Sequence, residues 1–381
     1  MRIVQVGPYP LDASFIRGGV ESSVFGLAQE QAKHNEVFVI DVPRIGGKDF
    51  VENNDSLTIY RFRNGGRHQS DAVKRLSDIN AIIERIRPDI VHIHGTSVFS
   101  WYLSQVLSSK RISFVLTVHG LVGVEKRKAM KRHFSFRALF QYLIQSRAEK
   151  KLLCSVDNII VDTKYVSETI KSYHLRREPR VFVIPQGISD RYYHISCSDS
   201  SYNVLSVGAI SPRKGHLLLI KAFERLSVKN IVAHLTICGT LADKSYYNSL
   251  LSYLSTSSCR DRVSIITNAP QTDLDDLYRR AKVFALHSQE ESQGIVLVEA
   301  MAAGLPIIGT RVGGIPDVVD DGQSGILLDY GDIQGFADAM LFLLDSKDEW
   351  ERMSNNSIAV SFKYSWESIS GRINDIYKHI I

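Results

Sequence analysis

The chain has 381 residues, 44% of them hydrophobic and 23% charged, a length that points to two domains and a balance that excludes a disordered protein. The net charge of +5 is uneven: residues 1–190 hold 28 Lys and Arg against 19 Asp and Glu, whereas 191–381 hold 18 against 22. An anionic partner is therefore expected on the N-terminal half, which carries +9, and the lack of any run of eighteen apolar residues excludes a hydrophobic spanning helix.

Short apolar strands alternate with amphipathic helical stretches, the pattern of a parallel sheet covered on both faces. The N-terminus, MRIVQVGPYP, lacks the basic-then-apolar layout of a signal peptide and reads as the first strand. Gly18 and Gly19 then lead into VESSVFGLAQEQAK, where Val20, Val24, Leu27 and Gln31 share a helical face. Those glycines would let a helix N-terminus approach a phosphate or an acceptor, and a plain flexible turn explains them equally well. Further strands are expected at EVFVID, LTIYRF, DIVHIHG, ISFVLTVH, NIIVDT and VFVIPQG. His92 and His94 lie on one face of DIVHIHG without a third ligand, so they do not suggest a metal site. His119 ends ISFVLTVH, a place where a lone histidine is usually structural.

The segment EKRKAMKRHFSFRALF holds Lys126, Arg127, Lys128, Lys131, Arg132 and Arg137 with Phe134, Phe136 and Phe140 interleaved. This mixture suits an anionic membrane surface or a lipid-linked phosphate; a solvated helix face is the plainer account, and no nucleic-acid module accompanies it. The serine-rich stretch RYYHISCSDSSYN, residues 191–203, sets the domain boundary. The expected division is an N-terminal domain over 1–190, a linker over 191–203, a second domain over 204–363 and a closing helix over 364–381 that returns to the first domain.

The second half restarts the alternation at NVLSVGAI, AHLTICG, VSIIT, KVFALHS, LPIIGT and GILLD. After the first of these, SPRKG brings Lys214 and Gly215 to the start of a helix. A lysine there can set a point charge on a departing phosphate, although a turn lysine is more often simply solvated. In QTDLDDL, Asp273, Asp275 and Asp276 read as helix N-cap and first-turn residues, not as a metal-binding D-x-D. The stretch HSQEESQGIVLVEAMAAGLP places Gly294 just before a helix expected to begin near Ile295, whose unpaired N–H groups suit a diphosphate. Glu299 is a carboxylate inside an apolar run and can accept two ribose hydroxyl hydrogen bonds; Glu291, in the loop ahead, can do the same for a sugar. Their plain alternatives are a salt-bridged helix residue and a solvated loop charge, and Glu290 is read as solvated. The four cysteines, Cys154, Cys197, Cys238 and Cys259, have no CxxC or CxH spacing and read as reduced cytoplasmic thiols.

Glu291, Gly294 and Glu299 match the E-x7-E signature of retaining glycosyltransferases of family 4, and AMAAGLPIIGTRVGGIPDVVDDGQSGILLD resembles that family's next segment nearly residue by residue. GGVE, DIVHIHG, TVHG, SPRKG and SWESISGRINDIY extend the resemblance over the chain. It implies the GT-B fold: two Rossmann-like, doubly wound α/β domains facing a central cleft. By the same resemblance, Glu299 would bind the nucleotide ribose and Glu291 the donor sugar. The amides of Gly294, Ile295 and Val296, with Lys214 and Arg213, would hold the diphosphate. His119 would reach the donor sugar, and the Gly18–Gly19 loop would border the reaction centre. The implied enzyme is a metal-independent hexosyltransferase without a cofactor, using a nucleotide-diphosphate sugar, with a UDP-sugar expected over GDP-mannose. The expected acceptor is a lipid-linked or growing bacterial surface-polysaccharide glycan, such as lipopolysaccharide or capsule. The expected location is cytoplasmic, peripheral at the inner face of the membrane. A nucleotide-sugar epimerase and a non-catalytic nucleotide-sugar binder are the competing readings. Several residues depart from the family pattern: Ala209 stands where an arginine is usual, Gln186 and Ser189 where Asn and Asp are, Leu241 and Thr267 where glycines are, and His287 where a proline is. Arg213 would replace the missing arginine only if its loop turns it inward.

Overall fold

In the first half, eight strands pair into one sheet: β1 (Arg2–Gly7), β2 (Glu36–Ile45), β3 (Phe50–Asn54), β4 (Leu57–Asn64), β5 (Ile90–His94), β6 (Phe114–Val118), β7 (Asn158–Val161) and β8 (Arg180–Val183). Their order is β3-β4-β2-β1-β5-β6-β7-β8. The computed structural model describes residues 1–13, 16, 18–45, 48–54, 56–64, 69–121, 123, 136–197, 202–227 and 233–381. All pairings are parallel except that of the edge strand β3 with β4. The inner strands β5 and β7 are buried along their whole length, because a parallel sheet is covered on both faces and its strands are apolar without alternation. β3 escaped the sequence pattern: FVENN is mostly exposed and offers neither apolar run nor alternation.

Helix Gly19–Ala32 buries Val24, Leu27 and Gln31 of the expected face, with Val20 half-buried. Helix Trp366–Ile380 buries Trp366, Ile369, Ile373, Ile376 and Tyr377 in the same cluster as Ile3, Val24 and Leu27. Two glycines make room for it: a Cβ on Gly26 would stand 2.1 Å from the Trp366 ring and one on Gly187 2.6 Å, a close approach only glycine permits.

The second sheet is wholly parallel and contains β9 (Asn203–Val207), β10 (His234–Gly239), β11 (Val263–Thr267), β12 (Val283–Leu286), β13 (Ile307–Thr310) and β14 (Gly325–Leu328), in the order β11-β10-β9-β12-β13-β14. The chain forms two compact units, one comprising Met1–Gly187 with Trp366–Ile381 and the other Ile188–Ser365. The change of unit thus falls at Gly187/Ile188, ahead of the stretch 191–203. Overlapping the start of that stretch, residues Asp190–His194 form a 3-10 turn, and Tyr192 and Ile195 enter the second unit's core. Serine-rich composition conceals these two apolar anchors. Helix Gln271–Arg280 is capped by Pro270 and not by an aspartate; Asp273 lies in its first turn, Asp275 accepts from Gln271 and Asp276 pairs with Arg279.

Both sheets reverse direction of growth at their first strand. β9 has β10 on one side and β12 on the other, so the loops leaving β9 and β12 part and open a crevice at their carboxyl ends, where doubly wound sheets bind ligands. Those loops carry Lys214 and Glu291. In the first unit the same position lies beyond β1 and β5, with β6 alongside. Among the described residues no helix is long and apolar enough to cross a membrane.

Candidate functional site

Lys214 ends a 3-10 turn, Pro212–Lys214, which Gly215 caps at a φ of 65°. A Cβ on Gly215 would stand 1.9 Å from the His287 carbonyl oxygen, so conformation and space both demand glycine. The Gln289 N–H donates to the Arg213 carbonyl at 2.8 Å and ties the β9 loop to the β12 loop. Across this seam Lys214 Nζ donates to Glu291 Oε1 at 2.5 Å, and Ser288 Oγ donates to the same oxygen at 2.7 Å. Lys214 and Glu291 are both buried. Arg213 Nη1 donates to the Glu290 carbonyl at 3.4 Å and lies 4.0 Å from Glu291 Oε2, so its head is turned toward the carboxylate. Burial by itself would raise the Glu291 pKa. The charges of Lys214 and Arg213, with hydrogen bonds from Lys214 and Ser288, outweigh burial and hold the carboxyl below its usual range. Residues 77 positions apart, read separately in the sequence, form one ion pair. Spacing alone carries no sign of it.

Gly294 has a φ of 78° and is the N-cap of helix Ile295–Ala302. Gly313, at a φ of 56°, packs against the loop so closely that a Cβ would stand 2.1 Å from the Glu291 carbonyl oxygen; the Gly314 N–H donates to that oxygen at 2.9 Å. The GG pair in RVGGIP was the available signal for this second clamp. Glu299 is half-buried, and its Oε2 accepts from the Tyr278 hydroxyl at 3.0 Å. Burial raises its pKa, and the Tyr278 hydrogen bond, the Arg191 charge and a Tyr192 hydrogen bond offset this only in part. Tyr278 is fully buried, which together with the Glu299 charge keeps its hydroxyl protonated and donating. Arg191 lies over the Tyr192 ring at 5.0 Å. Tyr278, Tyr192 and Arg191 reach Glu299 from a separate helix and turn, and no local motif marks them. His287 is a packing residue: it stacks on Phe336 at 4.1 Å, and its Nε2 accepts from the Gly331 N–H at 2.9 Å.

In the first unit, His119 Nε2 lies 3.1 Å from His94 Nδ1 and His119 Nδ1 lies 3.6 Å from Asp162 Oδ2. Gln186 Nε2 donates to that same Asp162 oxygen at 2.6 Å. A Cβ on Gly19 would stand 3.7 Å from Gln186 Oε1, so the Gly18–Gly19 loop, Gln186, Asp162 and His119 come together. His92 bonds Tyr377 and Thr117. Among the described residues no group of three or more His, Cys, Asp or Glu is arranged to hold a metal ion. Of the basic patch, Lys126, Arg127, Lys128, Lys131 and Arg132 lie outside the described residues; Arg137 belongs to helix Phe136–Ser155.

Comparison with known proteins covers both units. Residues 197–360 match the family described as Glycosyl transferases group 1, and residues 17–192 match Glycosyltransferase Family 4. The chain is 26% identical over 321 residues to D-inositol 3-phosphate glycosyltransferase of Corynebacterium glutamicum, covering 78% of this chain and 74% of that protein. It is 24% identical over 310 residues to N-acetyl-alpha-D-glucosaminyl L-malate synthase of Bacillus anthracis, covering 80% and 78%. Sucrose-phosphate synthase of Thermosynechococcus elongatus superposes with a TM-score of 0.78 at 18% identity, over 99% of this chain and 98% of that one. Anabaena HepE, solved in complex with UDP-glucose, superposes with a TM-score of 0.75 at 17% identity over 100% of both chains. With one family match on each Rossmann-like unit and GT-B neighbours along its whole length, the chain belongs to the retaining glycosyltransferases of family 4.

Proposed function

We propose that this glycosyltransferase moves a sugar from a nucleotide-diphosphate sugar, a UDP-sugar in preference to GDP-mannose, to an acceptor hydroxyl, with no metal or cofactor. The observation that carries this reading is the Lys214–Glu291 pair ahead of helix Ile295–Ala302, with Glu299 just over one turn along it. A cation, a helix N-terminus and two carboxylates in that sequence match a diphosphate, a sugar and a ribose. HepE, with the same fold, was solved with UDP and with UDP-glucose. Lys214, Arg213 and the amides of Gly294, Ile295 and Val296 take the diphosphate, Arg213 standing in for the arginine absent at Ala209. Glu291 takes the sugar hydroxyls and Glu299 the ribose. His119 contacts the donor sugar, and Gly18 and Gly19 border the reaction centre.

As the anomeric C–O bond to the diphosphate breaks, Lys214 and the helix N-terminus stabilise the growing negative charge. The acceptor oxygen bonds the anomeric carbon on the face the phosphate leaves, and the acceptor's proton passes to the departing phosphate oxygen. A thermal-shift screen followed by transfer assays tests the reading. UDP-sugars are expected to raise the melting temperature most, since a ligand present at a hundred times its Kd adds about 2.7 kcal/mol of stability. Donor conversion without acceptor would instead identify an epimerase. Tight donor binding without turnover across an acceptor panel would identify a binding protein.

We further propose a lipid-linked or surface-polysaccharide acceptor and a peripheral position at the cytoplasmic face of a membrane. Two observations favour this: the +9 balance of residues 1–190, and Phe140, Leu143 and Ile144 exposed along one side of helix Phe136–Ser155. Basic residues beside an apolar helix stripe suit an anionic lipid surface. The relatives named for inositol phosphate and malate agree with an anionic acceptor. Flotation with phosphatidylserine-containing liposomes is expected to carry the protein upward at low salt and lose it at high salt. No binding at either salt removes the membrane proposal.

A further inference from the structure

One face of helix Gln271–Arg280 converges on Glu299. Gln271, Asp275 and Tyr278 recur at i, i+4 and i+7, so they share a side of that helix. Tyr278 is fully buried, its ring stacked on Phe284 with centroids 6.2 Å apart, and its hydroxyl lies 3.0 Å from Glu299 Oε2. Gln271 Nε2 donates to Asp275 Oδ1 at 3.1 Å and to the Tyr192 hydroxyl at 3.3 Å. Tyr192 comes from the turn Asp190–His194, is buried, and sets its ring edge-on to Tyr278 at 5.5 Å. Arg191 Nη2 donates to the same Tyr192 hydroxyl at 3.4 Å, and its Nε lies 3.8 Å from Asp275 Oδ1.

A carboxylate only accepts, and burial keeps the Tyr278 phenol protonated, so its proton goes to Glu299 Oε2. The Tyr192 oxygen already receives from Gln271 and Arg191 and has one proton left, which it also directs at Glu299. A glutamate on a helix has several side-chain torsions to lose when it takes a ligand. Anchoring one of its oxygens on a ring locked in the core settles those torsions before the ligand arrives. Preorganisation of that kind raises affinity. Asp275 acquires a place in the same arrangement: it holds Arg191 directly and Tyr192 through Gln271.

We propose that Tyr278, with Tyr192 beside it, is a positioning residue that holds Glu299 in the orientation in which it receives the donor's ribose. The inference rests on the assignment of Glu299 to the ribose made above. Neither tyrosine touches the donor in this scheme; both act through the carboxylate.

Tyr278→Phe tests it by removing the hydroxyl and keeping the ring. Protein labelled with ¹³C at the glutamate carboxyl carbon, with Glu299 assigned through Glu299→Gln, reports the carboxyl in the absence of nucleotide. The groups that face Glu299 are Tyr278, Arg191 and Tyr192, which favour its charged form, and Asp275, which disfavours it. Losing a donor to the charged form is therefore expected to move the Glu299 titration to higher pH in Tyr278→Phe. Tyr192→Phe is expected to move it the same way and serves should Tyr278→Phe not fold. At a pH above that titration, UDP is expected to bind Tyr278→Phe about 2–10-fold more weakly, the range for one long side chain left to be ordered on binding. Its affinity is also expected to begin falling at a higher pH than that of the wild type. A tyrosine that only packed would leave the titration midpoint in place, so an unmoved midpoint overturns the proposal. So does wild-type UDP affinity in Tyr278→Phe when Glu299→Gln has lost it, and the ribose assignment then stands. Wild-type affinity in both variants removes the ribose assignment and the positioning role with it.

Discussion

Lys214→Met is expected to lower kcat by about 10²–10³-fold, in line with the loss of one preorganised group that stabilises charge in a transition state. Two effects combine. The ammonium no longer meets the departing diphosphate, and Glu291 is left buried with only Ser288 and Arg213 beside it. Loss of the Lys214 charge and hydrogen bond, two of the causes that hold the Glu291 pKa down, moves it upward from its lowered position. Breaking a buried pair by removing one partner also costs about 3–5 kcal/mol of stability, so the single variant is to be compared with Lys214→Met/Glu291→Gln. The double variant removes both charges. Its melting temperature is expected to recover much of the loss, while transfer remains depressed, because the cation is still absent. Transfer within a few-fold of wild type in either variant would remove Lys214 from the reaction centre.

Glu299→Gln is expected to weaken UDP binding by about 10–100-fold, corresponding to one charge-assisted hydrogen bond of about 1.5–3 kcal/mol. One of its oxygens already accepts from Tyr278, and the other is assigned to the ribose. The pH dependence follows from the sign of the shift. The Glu299 pKa is raised, chiefly by burial, and ribose hydroxyls donate more strongly to the ionised form than to the protonated one, so bound nucleotide lowers it. UDP affinity is therefore expected to fall as the pH drops through the raised pKa of the free enzyme, with proton release on binding in that range. Glu299→Gln should bind weakly at every pH, without that trend. Isothermal titration at several pH values in two buffers measures both. Equal affinity in Glu299→Gln would place the ribose elsewhere.

The parallel strands announced themselves through hydrophobic runs such as RIVQV and NVLSV, and the one strand missed, FVENN, lies at an exposed edge with little apolar surface to betray it. The start of the helix after Gly294 was legible for a similar reason. Gly294 before IVLVEAMA marks a helix start by local backbone needs alone, and the structure begins that helix at Ile295. The boundary at Gly187/Ile188 was less legible, since Tyr192 and Ile195 are two apolar anchors in a polar stretch and periodicity needs more than two points.

By itself, the sequence determined the alternation of strands and helices, the glycines at the turns, the family resemblance and the identity of Lys214, Glu291, Gly294 and Glu299 as charge-bearing or conformationally permissive residues near strand ends. These are local properties, set by the period of the chain and the φ/ψ needs of single residues. Only the tertiary structure decided what each charge faces: Lys214 on Glu291, Tyr278 on Glu299 and Asp162 on His119. Side-chain partners are fixed by how strands and helices stack. Stacking sums many weak apolar contacts across the whole chain, and no short stretch of sequence records that sum.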